Sequence, residues 1–255
     1  MVTASLKALL SNLIDYAGLY PPAGLPLATV LENYARRYLA SPYGWMLNRL
    51  VLPAAHLSQV QLGGSWRVTL LVDGEPGPLP AQVETLETKV AHKLSLPTYC
   101  EAPPDQISGG AFAKVRTGGL TPEAIPHSNQ VADFLHAAAA RRLPFKATAG
   151  LHHPLRCLRP LTYAADSPRA FMHGFINVFL AAALAWHGEE RGVLIDLLHE
   201  VDVLAFEFSD AQVKWHGRSI TTAQIESTRR EFAHSFGSCS FEEPVADLQQ
   251  LGLLR

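Results

Sequence analysis

The chain is short of charge and has almost no excess of either sign. Among its 255 residues, 17% are Asp, Glu, Lys or Arg, and the formal net charge is −2. Such a balance supplies no field for capturing nucleic acid or an anionic membrane surface, so neither partner is expected. Cysteine is scarce too. Cys100, Cys157 and Cys239 are odd in number and widely spaced, with no Cys-x-x-Cys pair. That excludes a disulfide framework and points to free thiols in a reducing cytoplasm. The His-Glu-x-x-His and His-x-His patterns of metal sites are absent, and neither a metal nor another cofactor is expected. Long apolar runs are missing as well. The most apolar segment, FINVFLAAALAW (175–186), is too short to span a bilayer and reads as a buried helix. At the N-terminus, Lys7, Asn12 and Asp15 interrupt the apolar run that a signal peptide needs. No repeat or low-complexity linker breaks the sequence.

What is present is material for a core. Hydrophobic residues make up 48% of the chain, enough for a large buried interior. The length suits one α/β barrel, and we expect a single domain over 1–255. Helical spacing covers 3–15 and 27–39, separated by a turn containing Gly18, Pro21, Pro22 and Pro26. Strand-like runs follow at 45–53, 66–73, 82–87, 97–102, 111–117 and 144–150, with a Pro- and Gly-rich surface loop at 72–82. A helix over 131–142 separates the last two strands, which makes a βαβ unit with parallel pairing. Further helices are read at 168–187 and 189–200, a strand at 204–210, a hairpin at 212–220 turning at His216-Gly217, and a helix at 221–236. The expected fold is therefore a TIM-like (β/α) barrel, irregular or incomplete, with an open doubly wound sheet as the alternative. Within it, 1–40 would be N-terminal helices, 45–220 the barrel, and 221–255 a C-terminal helix and tail.

The sharpest chemical signal is a pair of lysines, each within a short apolar strand that ends in glycine: AFAKVRTGG with Lys114, and PFKATAGLHH with Lys146. The C-terminal ends of barrel strands face the active site, and glycine lets a ligand approach the backbone. Lys114 and Arg116 lie two apart and share a strand face, as do Lys146 and Thr148. Two cations beside the amides of Thr117, Gly118 and Gly119 suit a carboxylate or phosphate, so a small anionic substrate is expected. Burial beside another cation would also lower a lysine pKa and free an amine for Schiff-base chemistry. The plainer alternative is that one or both lysines reach from a strand edge into solvent.

These two strands resemble the lysine strands of class I aldolase barrels, notably the deoxyribose-phosphate aldolase family. The resemblance covers about forty residues. In that family a Lys-x-x-Thr-Gly strand supplies the Schiff-base lysine, and the next strand supplies a second lysine that tunes it. The resemblance implies Lys114 as the amine and Lys146 as its electrostatic partner. It differs in carrying Arg116 between Lys114 and Thr117, and no Asp-bearing relay strand stands out, so Glu101 is the expected substitute. The segment DYAGLYPPA (15–23) also resembles the N-terminal motif of an uncharacterised bacterial family, a likeness that implies no activity.

Other candidates are weaker. In His152-His153, one ring can face a pocket and serve as acid or base while its neighbour packs elsewhere. His173 and Asn177 share a helix face, where they either line a pocket or hydrogen-bond inside the core. A metal would require Glu84, Glu101, His152 and His173 to converge. The turn carrying Tyr16, Tyr20, Pro21 and Pro22 could close over a site, with packing of both rings against the core as the plainer alternative, and Cys239 reads as a structural thiol. The expected site thus has Lys114, Lys146, His152 and Glu101 as catalytic groups. Arg116, Thr117, Gly118, Gly119, Thr148, His173 and Asn177 would bind substrate. The expected function is a lysine-dependent aldolase or lyase acting on an anionic carbonyl or phosphorylated compound. A metal-assisted lyase or isomerase, and a non-catalytic barrel binding a small acid or partner protein, are the alternatives.

Overall fold

The computed structural model describes residues 2–254. Eight parallel strands close into a barrel: β1 (Ile14–Tyr16), β2 (Leu47–Pro53), β3 (Val68–Leu71), β4 (Val83–Thr88), β5 (Thr98–Cys100), β6 (Phe112–Arg116), β7 (Phe145–Thr148) and, last in the chain, β13 (Ala233–Ser238). Neighbours run β1-β13-β7-β6-β5-β4-β3-β2, and β1 pairs with β2 to complete the ring. The expected TIM-like barrel is therefore present and closed. Its regularity fails in the connections, because several early strands are joined by loops or short 3-10 turns where helices would stand.

Two barrel strands fall outside the expected 45–220 segment. The helix read at 3–15 stops at α1 (Ala4–Leu10), and Leu13 onward leads into β1. The helix read at 221–236 is α6 (Thr222–Glu231) followed directly by β13. These two strands pair in register, Ile14 with Phe236 and Tyr16 with Ser238. Arg229 clamps the seam, donating to the carbonyls of Ser11, Asn12, Ala233 and His234.

Between β6 and β7, α3 (Ser128–Ala140) forms the expected βαβ crossover, and its Gln130 side chain accepts from the His127 amide to cap the helix start. Nearly every residue of α4 (Phe175–Trp186) is buried, between the barrel and its neighbours α3 and α5 (Arg191–His199). Phe145, Phe179, Phe232 and Phe236 stack between strands and helices, which is where the apolar core sits. Residues 169–172 form no part of α4. They are β9 (Arg169–Met172), paired antiparallel with β8 (Cys157–Pro160). The strand read at 204–210 is β10 (Phe206–Phe208), in a small antiparallel sheet with β11 (Gln212–Trp215) and β12 (Arg218–Thr221). His216 and Gly217 turn that hairpin with φ of 44° and 75°, the double left-handed geometry of a tight hairpin turn. α2 (Leu27–Glu32) runs on into a π-helical turn, and α7 (Glu242–Gln250) closes the chain. Among the described residues no helix is long and apolar enough to cross a membrane.

Candidate active site

Barrel interiors are usually filled by branched apolar side chains. This one is polar. Strand alternation turns Phe145 and Ala147 toward the helices and Lys146 and Thr148 inward, and the same parity turns Lys114 and Arg116 inward on β6. The adjacent register pairs Lys114 with Lys146 and Arg116 with Thr148.

The lysines enter a continuous chain of alternating charge. Asp15 Oδ2 accepts from Lys146 Nζ at 2.5 Å, and Lys146 Nζ also donates to Glu87 Oε1 at 2.5 Å. Glu87 Oε2 then accepts from Lys114 Nζ at 3.1 Å, Lys114 reaches Glu101 Oε2 at 3.0 Å, and Glu101 holds Arg116 through both oxygens. Asp15 is further satisfied by Asn48 Nδ2 at 2.7 Å, the Arg49 amide at 3.2 Å and Ser235 Oγ at 2.8 Å. Three acids alternate with three bases, so the row compensates itself. Neither lysine stands at a strand edge in solvent.

The expected lowering of a buried lysine pKa does not occur at Lys146. Burial pulls the value down, but attraction to Asp15 and Glu87 outweighs it and holds the ammonium above the ordinary lysine value. Asp15 and Glu87 show the matching effect. Burial raises both, yet the lysine charges bring each below its ordinary carboxylate value. Lys146 is thus a fixed cation. Glu101 is half-buried and also held low, since the pull of Lys114 and Arg116 exceeds the cost of its burial.

Above this row, at the C-terminal mouth of the barrel, lies a cavity of about 440 Å³. Lys114, Glu87, Arg116, Thr148 and His152 line it, and Lys146 lies beneath. His152 Nδ1 faces Glu243 Oε2 at 2.9 Å, which leaves Nε2 free to meet the cavity. Its neighbour His153 turns away and pairs with Asp247 at 2.5 Å. Leu161 and Met172, from the β8–β9 hairpin, cover one side.

Several expected substrate contacts are used by the fold itself. The Thr117 amide donates to the Thr148 carbonyl, and its hydroxyl to the Ala149 carbonyl at 2.6 Å, so Thr117 offers no anion cradle. Gly118 and Gly119 do line the cavity. Gly118 is there because the chain packs backbone to backbone: a Cβ on it would lie 2.8 Å from Gly150 Cα. Asn177 lies outside the cavity. It receives the Arg156 amide and donates to the Leu197 and Glu200 carbonyls, tying α4 to the end of α5. His173 is directed away by strand parity, since Met172 takes the cavity side. Glu84 sits at the opposite end of the barrel with Arg49 and Arg67, so the four metal candidates do not converge.

Three contributors were not read as site residues from sequence. Glu87 is the last but one residue of the strand VETLET, and the demand of two strand lysines for an acid is the signal that could have found it. Asp15 is hidden in a segment with helical spacing. Tyr20, in the turn read either as closing over a site or as core packing and assigned no role, lines the cavity with its hydroxyl buried and without a partner. Burial, and then the Glu87 charge, hold its phenol well above the ordinary tyrosine value, so it stays a proton donor.

A scan against protein-family models, a search of curated proteins and a search of solved structures each returned no significant match.

Proposed function

We propose that this protein is a lyase of aldolase type, in which Lys114 forms an imine with a small anionic carbonyl or phosphorylated substrate. One observation carries the reading: Lys114 brings the amine to the cavity between two carboxylates, beside a second lysine that stays charged. Of the two carboxylates on Lys114, Glu101 is the more exposed and takes its proton, being released as Arg116 turns to the substrate's anionic end. The freed amine attacks the substrate carbonyl carbon, and the carbonyl electron pair moves to oxygen, which takes a proton from Tyr20 or His152. The carbinolamine nitrogen gives a second proton to the hydroxyl, which leaves as water, and the proton held by Glu101 restores the acid, so that an iminium remains on Lys114. Its positive charge then accepts the electron pair of a breaking carbon–carbon bond. The hydroxyl on the departing carbon gives its proton to Glu101, and that fragment leaves as an aldehyde. The enamine left on Lys114 takes the proton at carbon and is hydrolysed by water, which frees the lysine. Arg116 has its side chain half-exposed at the rim and is the group to hold the substrate's anionic end.

Borohydride reduction in the presence of small anionic aldehydes and ketones, followed by peptide mass spectrometry, tests the reading. A stable adduct on the Lys114 peptide, lost in Lys114→Met and independent of added metal, is the expected result. Reversible binding of these compounds with no adduct on Lys114 would sink the imine and leave a small-acid receptor.

A further inference from the structure

Beside the mouth, the loop after β6 and the β8–β9 hairpin border a second cleft of about 330 Å³. Arg156, His127, His173 and His199 line it, and no aspartate or glutamate does. Ser128 and Asn129, the first residues of α3, form its floor. An α-helix leaves its first N–H groups without intrahelical partners and carries partial positive charge there. A helix start alone is no site, but two side chains distinguish this one.

Arg156 is half-buried, with its guanidinium 4.2 Å from the Phe171 ring centre, and among the described residues no carboxylate pairs with it. His173 is only 3% exposed. Its Nε2 lies 2.8 Å from the Pro126 carbonyl, which can only accept, so the ring proton is on Nε2. Nδ1 is left as a buried lone pair with no partner. Burial, with the Arg156 and His199 charges adding to it, holds this ring below the ordinary histidine pKa and so neutral. A buried unsatisfied acceptor is costly and calls for a donor.

The complementary ligand carries negative oxygens for Arg156 and the α3 amides, and one hydroxyl for His173 Nδ1. Hydrogen phosphate has that set, as does a singly protonated phosphate monoester. Sulfate does not, because it has lost both protons near neutral pH. We propose that this cleft is a second binding site, for the phosphate group of a small phosphomonoester. The cleft is larger than a phosphate needs, and Pro122, Ile125 and Phe171 provide an apolar wall for the organic remainder.

The test is residue-resolved NMR on the full chain, titrated separately with inorganic phosphate, sulfate and phenyl phosphate. Saturable shifts at the Ser128 and Asn129 amides and the His173 ring are expected with phosphate, with sulfate at least tenfold weaker. Phenyl phosphate should bind more tightly than phosphate, and the reverse order would overturn the monoester assignment. Arg156→Gln should abolish binding of all three, and His173→Phe should erase the preference over sulfate. Should His173→Phe fail to fold, the wild-type phosphate-to-sulfate ratio and Arg156→Gln decide the matter alone. Equal affinity for sulfate, or phosphate shifts confined to the Lys114 and Arg116 mouth, would overturn the proposal. Neither result depends on whether Lys114 forms an imine.

Discussion

Lys114 and Lys146 are neighbours on adjacent strands, yet their surroundings assign them different chemistry. Lys146 is sealed between Asp15 and Glu87, with 1% of its side chain exposed, whereas Lys114 keeps 10% and borders the cavity. Removing Lys146 strands two buried carboxylates, and loss of one partner of a buried pair costs about 3–5 kcal/mol. Lys146→Met is therefore expected to lower unfolding free energy by that amount in denaturant titration. Lys114→Met should cost less, since Arg116 still compensates Glu101, while eliminating the borohydride-trapped adduct. Tyr20 gives a third, separable outcome. Its hydroxyl has no partner to lose, so Tyr20→Phe should change stability by less than about 1 kcal/mol. If the phenol protonates the substrate oxygen, turnover of a compound trapped on Lys114 should fall by on the order of 10²-fold, with trapping retained.

Among the elements, the ends of β6 and β7 set the floor of the mouth. Gly118 and Gly150 meet there with no room for a side chain, and Gly150 also sits at φ +76°. Gly118→Ala forces backbone against backbone, and we expect about 1–3 kcal/mol of destabilisation by chemical denaturation. The same strands were legible from sequence because each combines β-prone residues with a terminal glycine around a well-formed helix. β1 was not. It has only three residues, too few to display alternation, and follows α1 with no proline or glycine between them. β13 was masked in the same way, because the helical spacing of α6 runs on into AHSFGS. His173 illustrates a different failure: spacing placed it with Asn177 on a helix, whereas it follows β9 and begins the turn into α4.

For the whole molecule, the consequence of a polar barrel is stability that depends on pH at both ends. Asp15 and Glu87 have folded values below their unfolded ones. Their contribution is complete above the unfolded carboxylate values near pH 4 and is lost as pH falls through the folded values. Lys146 is shifted upward. Its contribution is complete below the unfolded lysine value of about 10.4 and is lost as pH rises through the folded one. Thermal melting should be flat only from about pH 7 to about pH 8. Below that window the unfolded chain protonates His153, His173 and His234, whose folded values are depressed, before the carboxylates titrate. Above it the unfolded chain ionises Cys100, Cys157 and Cys239, whose folded values are raised, before Lys146 does. Asp15→Asn should be less stable at neutral pH and show a shallower acid limb, because one of the titrating carboxylates is gone. An unchanged acid limb in that variant would mean that Asp15 does not titrate with unfolding.

The sequence by itself determined the barrel class, the βαβ unit and the lysine strands, because hydrophobic period, strand length and glycine placement are local properties. Reading Lys114 and Arg116 onto one face also needed only the two-residue repeat of a strand. Tertiary structure decided what those groups meet. Asp15 lies 131 residues from Lys146 and Glu87 lies 59, so their pairing exists only once β1, β4 and β7 share one ring. That closure reversed the expected pKa direction of Lys146, converted two supposed free cations into a compensated row, and sent His173 and Asn177 away from the cavity. Charges in a low-dielectric interior take their properties from neighbours in space, which no stretch of chain contains.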